Sequence, residues 1–209
     1  MIQDRFEAGK LLAEKLSTFL EGKTCALLAI PRGGVVVGAE ISTTFKIPLD
    51  VIISKKITPP EHPEYAIGAM THDGVMYRGP NWERYSSDPR FEIELQKKKD
   101  EVKRRIEVYR GSTVYDLENK TVILVDDGIA TGATVFAILD WLAMQKPSEI
   151  ILAIPVIPFS TYEELTKFKI RVVALEIPRD FSAVGQFYRK FDQVQEQTVL
   201  DLIRKHGSI

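Results

Sequence analysis

Val122-Ile-Leu-Val-Asp-Asp-Gly-Ile-Ala-Thr-Gly-Ala-Thr134 is the stretch on which the reading of this chain turns. Its first four residues are apolar and mostly β-branched, the pattern of a strand buried on both faces of a parallel sheet. Two adjacent acids, Asp126 and Asp127, end that strand. A loop of small residues follows, and then an apolar helix predicted from about Gly132 to Met144. Loop amides and a helix N-terminus take phosphate. The hydroxyls of Thr131 and Thr134 add hydrogen bonds, and carboxylates at a strand end accept them from sugar hydroxyls. The combination suits a phosphorylated sugar. A P-loop would need a lysine after the second glycine, where Ala133 stands, and a dinucleotide fingerprint would need two glycines one residue apart. Neither is present in this stretch.

The rest of the chain is consistent with a globular enzyme-sized unit. Its 209 residues suit one domain, with room for a small appended lobe. With 28 basic and 29 acidic side chains the net charge is −1, so no global field draws in nucleic acid or an anionic membrane. Neither is expected as a partner. The lone Cys25 cannot form an intramolecular disulfide and reads as a small core residue. The N-terminus is polar and then amphipathic, unlike a signal peptide, and no apolar run reaches membrane-spanning length. The cytoplasm is the expected compartment.

Asp4 with Glu7 predicts a capped helix start, and Leu12, Leu16, Phe19 and Leu20 give that helix its stripe. Strands are predicted over Thr24–Ile30, Leu49–Ser54, Glu149–Pro155 and Ile170–Ile177, beside the one ending at Asp126. Helices are predicted over Val35–Phe45, Phe91–Tyr109, Thr161–Phe168 and about Gln193–His206. Lys55–Pro63 reads as a loop with three prolines, and Ala66–Arg78 as a β-hairpin turning at Asp73-Gly74. Strands alternating with helices predict an α/β fold: an open, mostly parallel twisted sheet with helices on both faces. Ligands of such sheets lie outside the carboxyl ends of the strands. Three polar segments fall there: Pro31-Arg-Gly-Gly34, Ser54-Lys-Lys56 and Asp126-Asp-Gly128.

Each segment has a chemical reading. Gly33 and Gly34 let a ligand approach the backbone, and Arg32 brings a fixed positive fork to an oxyanion. Lys55 and Lys56 suit a diphosphate. Downstream, Phe181, Phe187 and Tyr188 offer aromatic faces to a planar ligand, or else pack this segment onto the sheet.

Taken together, these motifs resemble the type I phosphoribosyltransferases. Val122–Thr134 matches their phosphoribosyl pyrophosphate (PRPP) signature at all thirteen positions, and Ala29–Val35 resembles their pyrophosphate loop. Asp4-Arg5, Ala8-Gly9-Lys10, Pro63-Glu64, Ala66–Ala69, Tyr109-Arg-Gly111 and Phe181–Tyr188 extend the resemblance over nearly the whole chain. They narrow it to a subgroup whose substrate is unassigned.

The resemblance implies one phosphoribosyltransferase domain over 1–209. Its core would span about 20–177, with a hood from the N-terminal helix and about 178–209, and a β-hairpin flexible loop. It implies transfer of a phosphoribosyl group from PRPP to a nitrogenous acceptor, with Mg2+ bridging the diphosphate and sugar oxygens. Asp126 and Asp127 would hold the ribose hydroxyls, directly or through the metal, and Gly128, Ile129, Ala130, Thr131, Gly132, Ala133 and Thr134 would wrap the 5′-phosphate. Arg32, Gly33, Gly34, Lys55 and Lys56 would face the diphosphate. Glu64, with His62 as alternative, would serve as general acid or base on a mobile cover at Glu61–Glu64. Phe181 and Tyr188 would hold the base. A homodimer is expected, by analogy with most relatives. Where 6-oxopurine salvage enzymes carry an aspartate, this chain has Ala130, which argues against hypoxanthine or guanine by the usual route. The alternative class is a PRPP-sensing regulator without transferase activity, for which Lys97–Lys99 and Lys103–Arg105 offer a basic helix interleaved with acids.

Overall fold

A computed structural model describes residues 1–62 and 65–207. The chain forms α1 (Arg5–Leu20), β1 (Cys25–Ala29), α2 (Gly33–Phe45), β2 (Leu49–Val51), β3 (Ser54–Ile57), β4 (Gly68–Thr71), β5 (Met76–Arg78), α3 (Trp82–Ser86) and α4 (Pro89–Tyr109). It continues through β6 (Thr121–Val125), α5 (Ala133–Met144), β7 (Glu149–Val156), α6 (Phe159–Leu165), β8 (Arg171–Glu176), a 3-10 turn at Val184–Phe187 and α7 (Glu196–His206). These elements group into two compact units.

The first unit comprises Met1–Val51, Leu117–Thr131 and Pro147–Ile209. It holds a five-stranded sheet in the order β2-β1-β6-β7-β8. Every pairing in it is parallel. Every residue of β6 is buried, as its unbroken apolar run requires. Emptying such a position, for instance Leu124→Ala, typically costs about 2–5 kcal/mol. The chain moves outward one way from β1 to β2 and the other way from β6 to β8, so the order reverses between β1 and β6. That is the switch point at which such sheets bind ligands. Ala29 and Val125 pair in register there, and the Ile30 amide donates to the Val125 carbonyl at 2.8 Å. The two chain segments leaving the sheet at this point therefore start side by side.

The capped helix start is present: the Asp4 carboxylate accepts from the Glu7 amide at 3.0 Å. Leu12 and Leu16 are fully buried along the predicted stripe, and α1 packs on α2 and on β7 and β8.

The second unit comprises Ile52–Asp116 and Gly132–Lys146. It holds an antiparallel sheet in the order β3-β4-β5, against which α5 packs. The predicted hairpin is β4 and β5, turning at Gly74 with φ +90°. Contrary to expectation, Leu49–Ser54 is not a single strand, and Lys55–Pro63 is not all loop. The parallel strand ends at Val51, and Ser54–Ile57 pairs antiparallel with β4, Lys55 opposite Met70 and Lys56 opposite Ala69. Ile52 and Ile53 are almost fully buried, so the apolar run continues while the chain changes sheets. β3 is an edge strand, where lysines deter pairing with another chain, and their charge hides its period. The short helix α3 is an addition to the expected elements; Trp82 anchors it edge-on against Phe91 with ring centroids 5.3 Å apart.

Candidate functional site

At the switch point of the first unit, the turn after β1 and the acids after β6 lie against each other. A Cβ on Gly33 would overlap the Asp127 carboxylate and stand 2.9 Å from Arg5 Nε. A Cβ on Gly34 would stand 2.8 Å from the Val125 carbonyl oxygen and 2.9 Å from Asp126 Cα. The double glycine is needed because the acid pair rests directly on this turn. The expectation that it admits a ligand is thereby refined: the closest approach is made by the chain's own carboxylates. Arg32, half-buried, is the N-cap residue of α2, and the Pro31–Arg32 peptide is cis.

Asp127 is held on two sides. Its Oδ2 accepts from Arg5 Nε at 2.7 Å, and its carbonyl accepts from the Tyr188 hydroxyl at 2.7 Å. The Asp126 Oδ1 accepts from the Asp127 amide at 2.8 Å. Arg5 is buried, donates from Nη1 to the Asp192 carbonyl at 2.8 Å, and lies 3.9 Å above the Phe191 ring. Tyr188 packs on the same ring, with centroids 4.9 Å apart. Burial, reinforced by the nearby Asp127 charge, pushes the Tyr188 phenol far above its ordinary range, so it stays protonated and donating. The N-terminal segment fastens this region from outside: the Ile2 amide donates to the Phe187 carbonyl at 2.9 Å, and the Ile2 carbonyl accepts from Arg189 at 2.8 Å.

The aromatic segment lies beside the signature. A Cβ on Gly128 would collide with Val184. The Gln186 side-chain oxygen accepts from the Ser182 and Ala183 amides, at 2.9 and 3.1 Å, which braces the turn. Phe181 and Phe187 are half-buried and stack on each other at 6.0 Å and 13°. Tyr188 is 6% exposed, so its ring is enclosed and its visible task is to hold Asp127. So enclosed, it offers little open face of the kind expected of a base platform.

Along the signature loop, Ile129 donates its amide to the Val156 carbonyl at 2.9 Å, and the Ala130 carbonyl accepts from Thr161 at 2.9 Å. Ala130 and Thr131 are exposed. Gly132, at φ +76°, is the N-cap residue of α5, with Ala133 and Thr134 in its first turn. No side chain caps that end of the helix.

In the second unit, Lys55 Nζ meets Glu101 Oε1 at 2.7 Å, and Arg105 meets the same oxygen at 2.7 Å. Burial alone would raise the Glu101 pKa; bonding to Lys55 and the charges of Lys55 and Arg105 outweigh it and hold the carboxyl below its usual range. Lys56, on the opposite side of the strand, is exposed. Glu61 pairs with Arg90, and His62 stands edge-on to Tyr85 at 6.1 Å. Glu64 lies outside the described residues.

A family profile described as phosphoribosyl transferase domain matches residues 2–192. The chain belongs to this family. Two Mycobacterium tuberculosis proteins, from strains CDC 1551 / Oshkosh and ATCC 25618 / H37Rv, are provisionally named phosphoribosyl transferases. Each is 35% identical over 207 residues, covering 96% of this chain and 46% of theirs. The chain thus spans about half the length of the curated relatives it matches. The crystal structure of TT1426 from Thermus thermophilus is 34% identical, covers 99% of both chains and superposes with a TM-score of 0.80. The AQ2163 protein of Aquifex aeolicus shares the fold at 10% identity and a TM-score of 0.53, covering 98% of this chain and 85% of its own.

Within this phosphoribosyl transferase domain, the motif acids and the double-glycine turn are brought together as a strand-end reading requires. Arg5 is the residue that reading missed. It appeared only as part of a sequence resemblance, and its separation from Asp127 by 122 positions leaves no local signal. On α4, Lys97, Lys99 and Arg105 pair with Glu94, Glu92 and Glu101, so these cations face acids of the same helix. Among the described residues, no group of three or more His, Cys, Asp or Glu side chains is placed to hold a metal. No helix among them is long and apolar enough to cross a membrane.

Proposed function

We propose that this domain binds PRPP and transfers its phosphoribosyl group to a nitrogen nucleophile. The bond from the anomeric carbon to the diphosphate oxygen breaks, a carbon–nitrogen bond forms, and pyrophosphate leaves. The observation that supports this best is the packing of Asp126 and Asp127 on the Arg32-Gly33-Gly34 turn. It sets two carboxylates against the turn that carries Arg32, at the switch point of a parallel sheet. Family membership supports it independently.

The parts divide as follows. Asp126 and Asp127 accept hydrogen bonds from the ribose hydroxyls. Gly128–Thr134 enclose the 5′-phosphate, with the uncapped start of α5 supplying amides. Arg32 takes the diphosphate. Within the second unit, Lys56 is a better phosphate candidate than Lys55, which is already paired with Glu101. The Phe181 face takes the planar acceptor. Positioning and neutralisation of a leaving diphosphate provide most of the rate in such a reaction.

Magnesium fits this donor set only as an ion held mainly by the substrate's oxygens. Asp126 and Asp127 offer two carboxylates, and the Asp127 group is already engaged by Arg5. Bound there, the ion would neutralise diphosphate charge.

The test is calorimetric titration of PRPP with magnesium into the wild type and Asp126→Asn, followed by a pool of bases with an assay for released pyrophosphate. Binding that weakens in the variant, with release only when one base is present, supports the transferase and names the acceptor. Binding with no release for any base favours a PRPP-sensing role, and no binding sinks the proposal.

A further inference from the structure

The two signature acids are not equivalent, and the difference comes from outside the signature. Arg5 is the first residue of α1 and is 9% exposed. A guanidinium at that depth requires partners on each side, and it has them: Asp127 Oδ2, the Asp192 carbonyl and the face of Phe191. Asp127 is correspondingly confined. Arg5 takes one carboxylate oxygen, Tyr188 takes the main-chain carbonyl, and the carboxylate occupies the space where Gly33 lacks a side chain. Rotation of this carboxylate would break the bond to Arg5 or strike the turn.

We infer that Arg5 is a positioning residue for PRPP binding: it fixes the Asp127 carboxylate so that its second oxygen, Oδ1, faces the sugar hydroxyls before substrate arrives. The inference rests on the transferase reading above. Arg5 itself touches no substrate. Its effect passes entirely through Asp127, and holding an acceptor oxygen in place beforehand is worth affinity because it need not be ordered on binding. The 3.9 Å contact with Phe191 and the bond to Asp192 make the segment at 188–192 part of the same brace. This gives the N-terminal helix and the segment at 188–192 a task at the site through Asp127.

The experiment is calorimetric titration of magnesium-PRPP into wild type, Arg5→Met, Arg5→Lys, Asp127→Asn and the double variant Arg5→Met/Asp127→Asn. Stoichiometry reports the folded fraction and Kd reports the site, so a merely structural loss lowers the first and leaves the second unchanged. Arg5→Met is expected to raise Kd at least tenfold at full stoichiometry. Arg5→Lys, which keeps the charge and loses the fork, should fall between it and wild type. The double variant should bind no more weakly than Asp127→Asn alone, because Arg5 acts through that acid.

An unchanged Kd in Arg5→Met overturns the inference while leaving the transferase reading in place. Multiplying effects in the double variant also overturn it, since Arg5 would then act independently of Asp127. If Arg5→Met fails to fold, Arg5→Lys decides: wild-type affinity at full stoichiometry counts against the role, and intermediate affinity supports it. Failure of the wild type to bind PRPP removes the transferase reading and this inference together.

Discussion

The acid pair of the first unit and the lysine-bearing strand of the second carry the two halves of the proposed chemistry on very different supports. Asp127 is gripped by a buried arginine, a buried tyrosine and a turn with no space to spare. Lys55 and Lys56 stand on an edge strand of a three-stranded sheet, and the loop beyond is tied down by Arg90 and Glu61, both more than half exposed. Exposed ion pairs contribute little. Regions with few buried contacts open at low free-energy cost, and moving covers are drawn from them. The signature acids are thus fixed in place, whereas the loop of Glu61 and His62 is held by exposed contacts.

The sharpest way to break this contrast is Gly33→Ala. Its methyl group meets a carboxylate that cannot retreat, and overpacking of this kind costs about 1–3 kcal/mol. Expressed as affinity for PRPP in a titration, a loss of that size is about five- to 150-fold. A neutral result would mean that the acid pair moves readily.

Next in size is the pair of lysines. Lys56→Met should weaken PRPP binding about tenfold, the worth of one charge-assisted hydrogen bond. Lys55→Met should change it about twofold at most and alter stability by about 0–1 kcal/mol, because its charge is spent on Glu101. Equal losses in calorimetry would show that Lys55 leaves Glu101 for the ligand.

Tyr188→Phe removes one hydroxyl and should lower unfolding free energy by about 1 kcal/mol, measured by denaturant melts. A mainly acceptor-dependent loss instead would return Tyr188 to the base site.

The smallest effect concerns the second unit alone. His72 lies between Tyr115 and Trp141, at 5.1 and 5.2 Å, and burial lowers its pKa below 6.5, against an opposing pull from Asp73. The folded state therefore favours the neutral ring. Its contribution is complete above pH 6.5 and declines as pH falls below that value. His72→Phe should flatten the fall in melting temperature on acidification. An unchanged slope would assign the effect to another group.

Much of the fold was legible because long apolar runs and helical stripes are local signals. β6, α1, α4 and α5 fell close to where their periodicity placed them. The change of sheet at Ile52-Ile53 was not legible, because a buried run looks the same whether or not its hydrogen-bond partners change. α3 is five residues long, too short for a period to show. At the site, the acids and the double glycine announced themselves by residue type, whereas Tyr188 looked like a stacking surface because its burial is not written in its neighbours.

By itself the sequence determined the parallel α/β fold, the family resemblance, and which residues are chemically able to meet a phosphorylated sugar. These follow from short-range pattern: strand periods, turn glycines and adjacent acids. Only the tertiary structure decided which of those residues are already committed. Asp127 is claimed by Arg5, Lys55 by Glu101 and Tyr188 by the core. Charge and burial act through space, and the partners that settle them lie 122 and 46 positions away for the two ion pairs.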